Sequence, residues 1–181
     1  MSREIIAKGL VEKCLDVNGP FKFSNLKYTS PIRFNVDKLQ HVPEIRQIIV
    51  SNLSSLFGYL TSIGGVASGG DLWAMGVSTV KDIPWFSVKK NGSILGRING
   101  NMIGLVEDVV TTGRSLEDAA SVILSTRGVY PIVATIFNYG LRTDIPSLVN
   151  LEDVIPYIEN SVSYTKLKEI NEWYSLIKSV T

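Results

Sequence analysis

The feature that most constrains the fold is a strand, a polar loop and a helix that follow one another within residues 102–128. Residues 102–106 (Met-Ile-Gly-Leu-Val) are uniformly apolar, as expected for a strand buried on both faces of a parallel sheet. From residue 116 onwards apolar side chains recur at helical spacing, and Gly128 is placed to end that helix. Parallel sheets are built from such units, so this segment predicts an α/β protein.

The rest of the chain repeats this alternation. Helical spacing predicts helices at residues 2–15, 43–60, 71–79, 115–126 and 151–178, and short β-branched runs predict strands at residues 63–67, 85–88, 102–106 and 132–137. Short strands are also expected within residues 21–37, and the glycine-rich polar segment 91–101 is expected to be a mobile loop. We therefore predict a central, mostly parallel sheet flanked by helices, with ligands bound at the carboxyl ends of its strands.

Composition and charge narrow the class of protein. The chain has 181 residues, 45% of them hydrophobic and 19% charged, which suits one globular domain. A formal net charge of +1 argues against nucleic acid or a membrane surface as partner, because both favour a basic excess. Cys14 is the only cysteine, so no disulfide framework points to secretion, and its helical surroundings predict a core position. No apolar run approaches the ~18 residues of a membrane span, so we expect a cytoplasmic protein.

The loop between the strand and the helix has the features of a phosphate site. Such a junction presents unpaired backbone N–H groups at the positive end of the helix dipole, where a bound anion is stabilised. Thr111, Thr112 and Ser115 add hydroxyl groups, and Gly113 lets the backbone approach a ligand closely. The loop lacks the Gly-Lys-Ser/Thr ending of a Walker loop, so it is not a phosphate site of that kind.

Two adjacent carboxylates, Glu107 and Asp108, need a further explanation because they would repel a bare phosphate. They are suited to hydroxyl groups, or to a metal ion, close to the phosphate. A ribose 5-phosphate offers the hydroxyls, and a pyrophosphate on its anomeric carbon would bring Mg²⁺. Taken singly, each feature also fits a structural role, either as a capped helix start or as acids at a strand end. The complete string is more specific than its parts and favours the ligand site.

Residues 106–115 as a whole resemble the phosphoribosyl pyrophosphate (PRPP) signature of the type I phosphoribosyltransferases. Three further segments resemble the orotate phosphoribosyltransferase family in particular: residues 29–35 (Thr-Ser-Pro-Ile-Arg-Phe-Asn), 65–70 (Gly-Val-Ala-Ser-Gly-Gly) and 136–141 (Ile-Phe-Asn-Tyr-Gly-Leu). The tail from Leu151 to Trp173 is similar to the closing helices of that family. The resemblance therefore covers nearly the whole chain.

The resemblance implies a type I phosphoribosyltransferase fold in a single domain, residues 1–181. Residues 1–40 would form an N-terminal helix and a small hood on the substrate side, residues 41–150 the core, and residues 151–181 the closing helices. The implied enzyme transfers the phosphoribosyl group from PRPP to orotate, giving orotidine 5′-monophosphate and pyrophosphate in pyrimidine (UMP) biosynthesis. Mg²⁺ would be its cofactor, and no protein nucleophile is required.

The resemblance also assigns residues to this reaction. Catalysis would depend on Glu107, Asp108 and Lys90. PRPP would be bound by Glu107, Asp108, Val109, Val110, Thr111, Thr112, Gly113, Arg114, Ser115, Lys89, Lys90, Ser68 and Gly69. Orotate would be bound by Thr111, Phe34 and Lys27, with Ser24 as the alternative to Lys27 for a family lysine that has no clear match. Arg33 stands where the family has an aromatic residue, but its guanidinium suits the orotate carboxylate, so it is a further orotate candidate. Mg²⁺ would be held mainly through the substrate, with Asp108 as its candidate protein ligand.

The lysine segment, residues 88–97, departs most from the family. Family members carry Arg-Lys-x-x-Lys-x-His-Gly here, on a flexible loop that reaches the active site of the partner subunit, which implies a homodimer. In this chain Val88 stands at the first arginine position, the loop is shorter and its histidine is absent, since His41 is the only histidine. Lys90 is the better match for the mobile lysine, with Lys89 and Arg97 as alternatives. A solvated lysine pair before a turn is the structural alternative.

Two further departures concern charge near the phosphates. Asp71 directly follows the segment similar to the pyrophosphate loop, where an acid is unexpected unless Mg²⁺ or solvent intervenes. Arg114 stands where the family has a small residue, and it would add a phosphate ligand only if it pointed inward.

Three functions stay open at this point. The first is orotate phosphoribosyl transfer, and the second is transfer to a purine or another base. The third is a non-catalytic sensor of PRPP or a nucleotide, which the altered lysine segment suggests.

Overall fold

A six-stranded sheet forms the centre of the protein in a computed structural model that describes residues 2–23 and 26–179. The strands, in chain order, are β1 (Leu15–Asp16), β2 (Arg33–Phe34), β3 (Ser62–Val66), β4 (Trp85–Val88), β5 (Ile94–Gly96), β6 (Ile103–Val110), β7 (Ile132–Asn138) and β8 (Ser147–Asn150). The central sheet has the order β5-β4-β3-β6-β7-β8, and β1 and β2 form a separate antiparallel pair. Only the β4–β5 pair of the central sheet is antiparallel. The predicted mostly parallel sheet is confirmed.

The described residues form six α-helices around this sheet. They are α1 (Ser2–Gly9), α2 (Pro43–Phe57), α3 (Asp71–Lys81), α4 (Arg114–Arg127), α5 (Leu151–Ile158) and α6 (Tyr164–Lys178). Gly128, with φ +71°, ends α4 as its sequence position predicts. Among these helices of the described chain, none is long and apolar enough to cross a bilayer.

Apolar side chains pack against both faces of the central sheet. On one face, residues of β3, β4 and β6 meet the buried side of α4, which contributes Leu116, Ala119, Ala120 and Ile123. On the other face a larger cluster joins residues of α1, α2 and α3 to the closing helices α5 and α6. Burial on both faces explains why β6 begins as an uninterrupted apolar run.

The N-terminal segment is anchored at the end of β7 by aromatic side chains. The ring of Phe34 lies 4.6 Å from the ring of Phe137, and the two ring planes are inclined by 54°. The backbone N–H of Phe34 donates to Tyr139 Oη at 3.3 Å. Both Phe137 and Tyr139 are fully buried, so this contact ties β2 to the carboxyl end of the central sheet.

Several sequence predictions were wrong in extent near the N-terminus. The helix predicted over residues 2–15 leaves α-helical geometry after Gly9 and continues as a π-helical turn, Leu10–Cys14. Within residues 21–37 the strand structure of the described residues is limited to β2 and one isolated bridge between Phe21 and Ser30. A 3-10 helix, Val36–His41, then leads to α2.

Cys14 is fully buried as predicted, and this burial raises the pKa of its thiol to about 12.

Other corrections lie closer to the predicted site. The strand predicted to end at residue 106 runs to Val110, so Glu107 and Asp108 belong to β6 rather than to the loop. The segment 91–101, predicted to be a mobile loop, contains β5, which pairs with β4. The strand β8 was not predicted from the sequence. The single helix predicted over residues 151–178 is two helices, α5 and α6, separated by a turn.

The substitution Tyr139→Phe tests the anchor of the N-terminal segment. It leaves the buried N–H of Phe34 without an acceptor, so we expect the free energy of unfolding to fall by about 1–3 kcal/mol. Urea unfolding measures the change. Tyr130→Phe, at a tyrosine that is 55% exposed, is the control and should leave the free energy of unfolding unchanged. An equally stable Tyr139→Phe protein would show that this hydrogen bond does not hold the segment.

Candidate active site

A cleft of about 620 Å³ opens at the carboxyl ends of the parallel strands β3, β4 and β6. Its polar lining consists of Asp37, Ser68, Gly69, Lys89, Lys90, Gly92, Glu107, Asp108, Ser115 and Asp118, and its apolar lining of Val66, Ala67, Val88, Ala119 and Val122. Three segments that sequence analysis singled out separately therefore meet at one place: the pyrophosphate loop (residues 65–70), the lysine segment and the end of β6.

The phosphate loop (residues 109–115) forms a second, smaller hollow next to this cleft. Its volume is about 50 Å³, and it is lined by Glu107 and the seven residues of the loop. Gly113, with φ +77°, occupies the N-cap position of α4 and offers no side chain to its first turn. The first-turn N–H groups are therefore available to an anion. The structural alternative, in which Thr112 or Ser115 caps the helix, is not what the structure has.

The two carboxylates are held on adjacent positions of β6, where both are half-buried. A Cβ atom on Gly69 would collide with the carboxylate of Asp108, so the pyrophosphate loop packs directly against that side chain. The hydroxyl of Thr135, which is fully buried on β7, donates to the backbone carbonyl of Asp108 at 3.3 Å. The strand and the glycine loop thus fix where the carboxylates stand.

Burial and the charge of a neighbouring carboxylate make both Glu107 and Asp108 hard to ionise. Burial raises the pKa of Glu107 to about 8, the charge of Asp108 adds to this rise, and the charge of Lys90 opposes it. Burial also raises the pKa of Asp108 to about 6, with a further contribution from Asp37. Sugar hydroxyl groups or a cation would relieve this repulsion, so the carboxylates suit a polyhydroxy ligand better than an apolar one.

The lysine segment is folded into a hairpin between β4 and β5. The N–H of Lys89 donates to the Ser93 carbonyl at 2.9 Å, and the N–H of Gly92 donates to the Lys89 carbonyl at 2.9 Å. The Nζ atom of Lys89 lies 3.2 Å from Asp71 Oδ2. Asp71, the first residue of α3, is thus neutralised by Lys89 and by the positive end of its own helix, which explains an acid beside the pyrophosphate loop. Lys90 is exposed at the cleft.

The predicted orotate residues do not all gather in the cleft. Arg33 is bound to Asp16 at 3.3 Å, and its guanidinium lies 4.7 Å from the centre of the Phe21 ring. Lys27 is exposed, with its Nζ 5.4 Å from the centre of the Tyr28 ring. Phe34 is buried against Phe137, and Thr111 lies in the phosphate loop. Ser24 lies outside the described residues.

Two arginines that the sequence analysis placed near the phosphates, Arg114 and Arg97, are exposed. Arg114 lies on the exposed side of α4, where its Nε is 3.6 Å from Asp118 Oδ2. It is exposed there, and it also lines the phosphate hollow. Arg97 is exposed and does not line the cleft, which leaves Lys89 and Lys90 as the basic side chains of its wall.

Comparison with known proteins places this cleft in a family. No family model matches the chain. The orotate phosphoribosyltransferase of Lactobacillus johnsonii is 32% identical over 152 residues, covering 76% of this chain and 71% of that protein. The chain belongs to the orotate phosphoribosyltransferase family. A second relative, the orotate phosphoribosyltransferase of Listeria monocytogenes, is 26% identical over 198 residues and covers 93% of this chain and 95% of its own length.

Solved structures share the fold at lower identity. The UMP synthase of Leishmania donovani matches 97% of this chain with a TM-score of 0.80 and 17% identity, and the chain spans 43% of that longer protein. The orotate phosphoribosyltransferase of Aeropyrum pernix matches 85% of the chain with a TM-score of 0.74 and 20% identity. An adenine phosphoribosyltransferase of Trypanosoma brucei matches 84% of the chain with a TM-score of 0.62. The predicted type I phosphoribosyltransferase fold is confirmed.

Sequence reasoning missed two acids of the orotate phosphoribosyltransferase cleft. Asp118 follows Ser115 by three residues on α4 and so shares its helix face, a spacing that the sequence shows directly. Asp37 comes from the N-terminal 3-10 helix, two residues beyond the segment that resembles the family. Only the folding of the N-terminal segment onto the end of β6 brings Asp37 close to Asp108, so no local pattern could have found it.

The substitution Glu107→Gln tests the electrostatics of the cleft. A carboxylate with a pKa of about 8 in the folded protein favours the protonated form, so folding loses stability as the pH rises from the unfolded value, about 4.5, towards 8. We expect Glu107→Gln to raise the free energy of unfolding relative to the wild type at pH 8, with a gain that shrinks at pH 5. Urea unfolding across this range measures it.

The matched control for this experiment is Glu159→Gln, at an exposed glutamate at the end of α5. Its stability difference from the wild type should not grow with pH. A Glu107→Gln difference that is constant between pH 5 and pH 8 would contradict the raised pKa of Glu107.

Proposed function

We propose that this protein is an orotate phosphoribosyltransferase, which transfers the phosphoribosyl group of PRPP to orotate with release of pyrophosphate. The observation that carries the proposal is the convergence of the phosphate loop, the Glu107–Asp108 pair and the Lys89–Lys90 pair on one cleft. Membership of the orotate phosphoribosyltransferase family supports the choice of base.

We expect PRPP to occupy the cleft in one orientation. Its 5′-phosphate would occupy the hollow at the start of α4, where free N–H groups and the helix dipole favour a dianion. The ribose hydroxyls would then face Glu107 and Asp108. The pyrophosphate would extend towards Ser68, Gly69 and Lys89, which line the same cleft. Each charged or polar part of the substrate then meets a complementary group.

The residues present fit Mg²⁺ bound largely through the substrate. Within the described residues no group of three or more His, Cys, Asp or Glu side chains could enclose a metal ion by itself. The carboxylates of Glu107 and Asp108 nevertheless repel each other and have raised pKa values, which a nearby cation would reverse. Asp108 is the side chain that would reach the ion. When bound, Mg²⁺ would neutralise part of the pyrophosphate charge.

The reaction needs no nucleophile from the protein. The bond between the anomeric carbon and pyrophosphate breaks, and its electron pair leaves with pyrophosphate. The pyrimidine nitrogen, once deprotonated, supplies the pair for the new carbon–nitrogen bond. The protein positions both substrates and places positive charge where the leaving group develops negative charge. Lys90, exposed at the cleft and close enough to influence Glu107, is suited to that task.

The N-terminal hood would close the orotate side. Its β1–β2 pair and 3-10 helix lie over the ends of β6 and β7, and the hood contributes Asp37 to the cleft. Arg33 pairs with Asp16, so it would have to leave that partner before it could bind the orotate carboxylate. The backbone around Phe34 is held by Tyr139 and offers a fixed edge for the base.

A homodimer is the assembly that we propose. An apolar groove of about 580 Å³ lies between α2 and α3, and Leu72, Met75 and Val80 are exposed along it. This face begins at Asp71, which binds Lys89 of the lysine segment. A second copy seated on α3 would therefore stand next to the cleft, where one protomer could contribute to the site of its partner.

The orotate assay tests the function and the assignment of Lys90 together. With PRPP, Mg²⁺ and orotate we expect loss of orotate absorbance and release of pyrophosphate. Lys90→Ala should lower kcat by about tenfold to a hundredfold, because it removes a positive charge that is more important in the transition state than in the ground state. Lys13→Ala, at an exposed lysine outside the cleft, is the control and should keep the wild-type kcat.

Each alternative has its own outcome in this assay. Turnover with another base but not with orotate would replace the proposed substrate. Tight PRPP binding without turnover of any base would indicate a sensor. An unchanged kcat for Lys90→Ala would reject Lys90 as the lysine that acts on the leaving group.

Light scattering coupled to size-exclusion chromatography tests the dimer. We expect the wild type to have the mass of two chains, and the double substitution Leu72→Glu with Val80→Glu to give monomers, because charge would be buried on both sides of the interface. Leu124→Glu, at a leucine that is 45% exposed on α4, should leave the dimer intact. A monomeric wild type would contradict the proposed assembly.

A further inference from the structure

A side chain behind the phosphate loop has no part in the assignments above. Arg142 follows β7 by four residues, and its guanidinium reaches the base of the phosphate loop. We propose that Arg142 is a positioning residue that fixes the phosphate loop for the 5′-phosphate of the substrate. This inference rests on the proposed function insofar as the ligand of the loop is taken to be the phosphate of PRPP.

The guanidinium of Arg142 is held by two carboxylates from different elements. Its Nε and Nη2 donate to the two oxygens of Asp144 at 2.8 Å and 2.7 Å, a bidentate pair. Its Nη1 donates to Glu117 Oε1 at 2.6 Å. These hydrogen bonds to Asp144 and Glu117 raise the pKa of the guanidinium far above its ordinary value. The side chain is therefore a fixed, fully charged group rather than a mobile surface arginine.

The same Nη1 also donates to the backbone carbonyl of Thr112 at 3.1 Å. Because the peptide unit between Thr112 and Gly113 is planar and trans, a carbonyl that points to Arg142 directs the N–H of Gly113 to the opposite side. Arg142 thus sets the orientation of a backbone donor at the N-cap of α4. This is the point where the phosphate loop would bind an anion.

Packing around Gly113 shows how closely the arginine supports the loop. A Cβ atom at Gly113 would lie 2.6 Å from Arg142 Nη1 and 3.0 Å from Ile145 Cδ1. Gly113 therefore has two constraints, a positive φ and a guanidinium against its α-carbon. The glycine that lets a ligand approach on one side also lets Arg142 approach on the other.

Arg142 has an electrostatic effect as well. Glu117 lies in the first turn of α4, directly beside the anion site, and its carboxylate would repel a phosphate there. Pairing with Arg142 compensates that charge. Without the arginine, the charge of Glu117 in the first turn of α4 would be uncompensated, and both the orientation of the loop and its affinity for an anion would decrease.

The backbone that carries Arg142 is itself fixed from the core. Asn138, at the end of β7, is 1% exposed. Its Nδ2 donates to the Arg142 carbonyl at 2.8 Å, and its Oδ1 accepts from the N–H of Gly140 at 2.8 Å. The turn after β7 is thus built to present the arginine to the loop after β6, the neighbouring strand.

Ligand binding and kinetics of four variants test the proposal. Arg142→Ala should raise the dissociation constant of ribose 5-phosphate, measured by calorimetry, and the KM for PRPP by about tenfold or more, since a charge-assisted hydrogen bond is lost beside the anion. The value of kcat should change less, because the 5′-phosphate is bound equally in the ground state and the transition state. Arg142→Lys keeps the charge but not the fork, so it should lie between Arg142→Ala and the wild type.

The double variant Arg142→Ala with Glu117→Gln separates the two effects of the arginine. Removing the uncompensated carboxylate should restore part of the affinity for ribose 5-phosphate that Arg142→Ala loses. Arg127→Ala, at the exposed far end of the same helix, is the matched control and should bind ribose 5-phosphate as the wild type does.

Wild-type affinity for ribose 5-phosphate in folded Arg142→Ala would overturn the proposal. If Arg142→Ala does not fold, Arg142→Lys decides in its place, and wild-type affinity in that variant has the same meaning. A wild type that binds ribose 5-phosphate but does not turn over orotate would refute the proposed function alone. The comparison of the variants in ribose 5-phosphate binding would still decide the role of Arg142.

Discussion

The rest of the site depends on one electrostatic constraint. The carboxylates of Glu107 and Asp108 stand beside the phosphate loop, and they would repel the anion that we propose this loop binds. Glu107 and Asp108 stand at the end of β6, and the phosphate loop begins at the next residue. The backbone N–H groups at the start of α4 face the smaller hollow, Asp108 lines the larger cleft, and Glu107 lines both. A ligand with a phosphate at one end and hydroxyl groups beside it would satisfy both the loop and the carboxylates, and a ribose 5-phosphate is such a ligand.

Charge compensation of this kind recurs around the cleft. Lys89 neutralises Asp71 at the start of α3, and Arg142 neutralises Glu117 in the first turn of α4. In both cases an acid near a proposed anion site is paired with a base from a neighbouring loop at the same edge of the sheet. These ion pairs reduce the negative charge around the cleft, and Lys90 is exposed in its wall.

Much of this arrangement could be predicted from the sequence. The features that could not be predicted depend on contacts between residues that lie far apart in the chain. The unit from β6 to α4 was correct because its apolar periods and Gly128 act within one segment. The extent of β6 was wrong, since polar residues at the end of a strand look like a loop until the pairing with β7 is known. The contacts of Arg33 with Asp16, of Lys89 with Asp71 and of Arg142 with Thr112 join residues that are distant in sequence or belong to different elements. Only the assembled fold shows these partners.

We propose that one cleft holds the ribose 5-phosphate part of PRPP, with its phosphate at the start of α4 and its hydroxyls at the end of β6. A crystal structure of the protein with PRPP and Mg²⁺ tests this most directly. We expect phosphate oxygens within hydrogen-bonding distance of the backbone N–H groups of residues 111–115, and the 2′ and 3′ hydroxyls against Glu107 and Asp108. A 5′-phosphate bound elsewhere, or ribose hydroxyls turned away from both carboxylates, would contradict it.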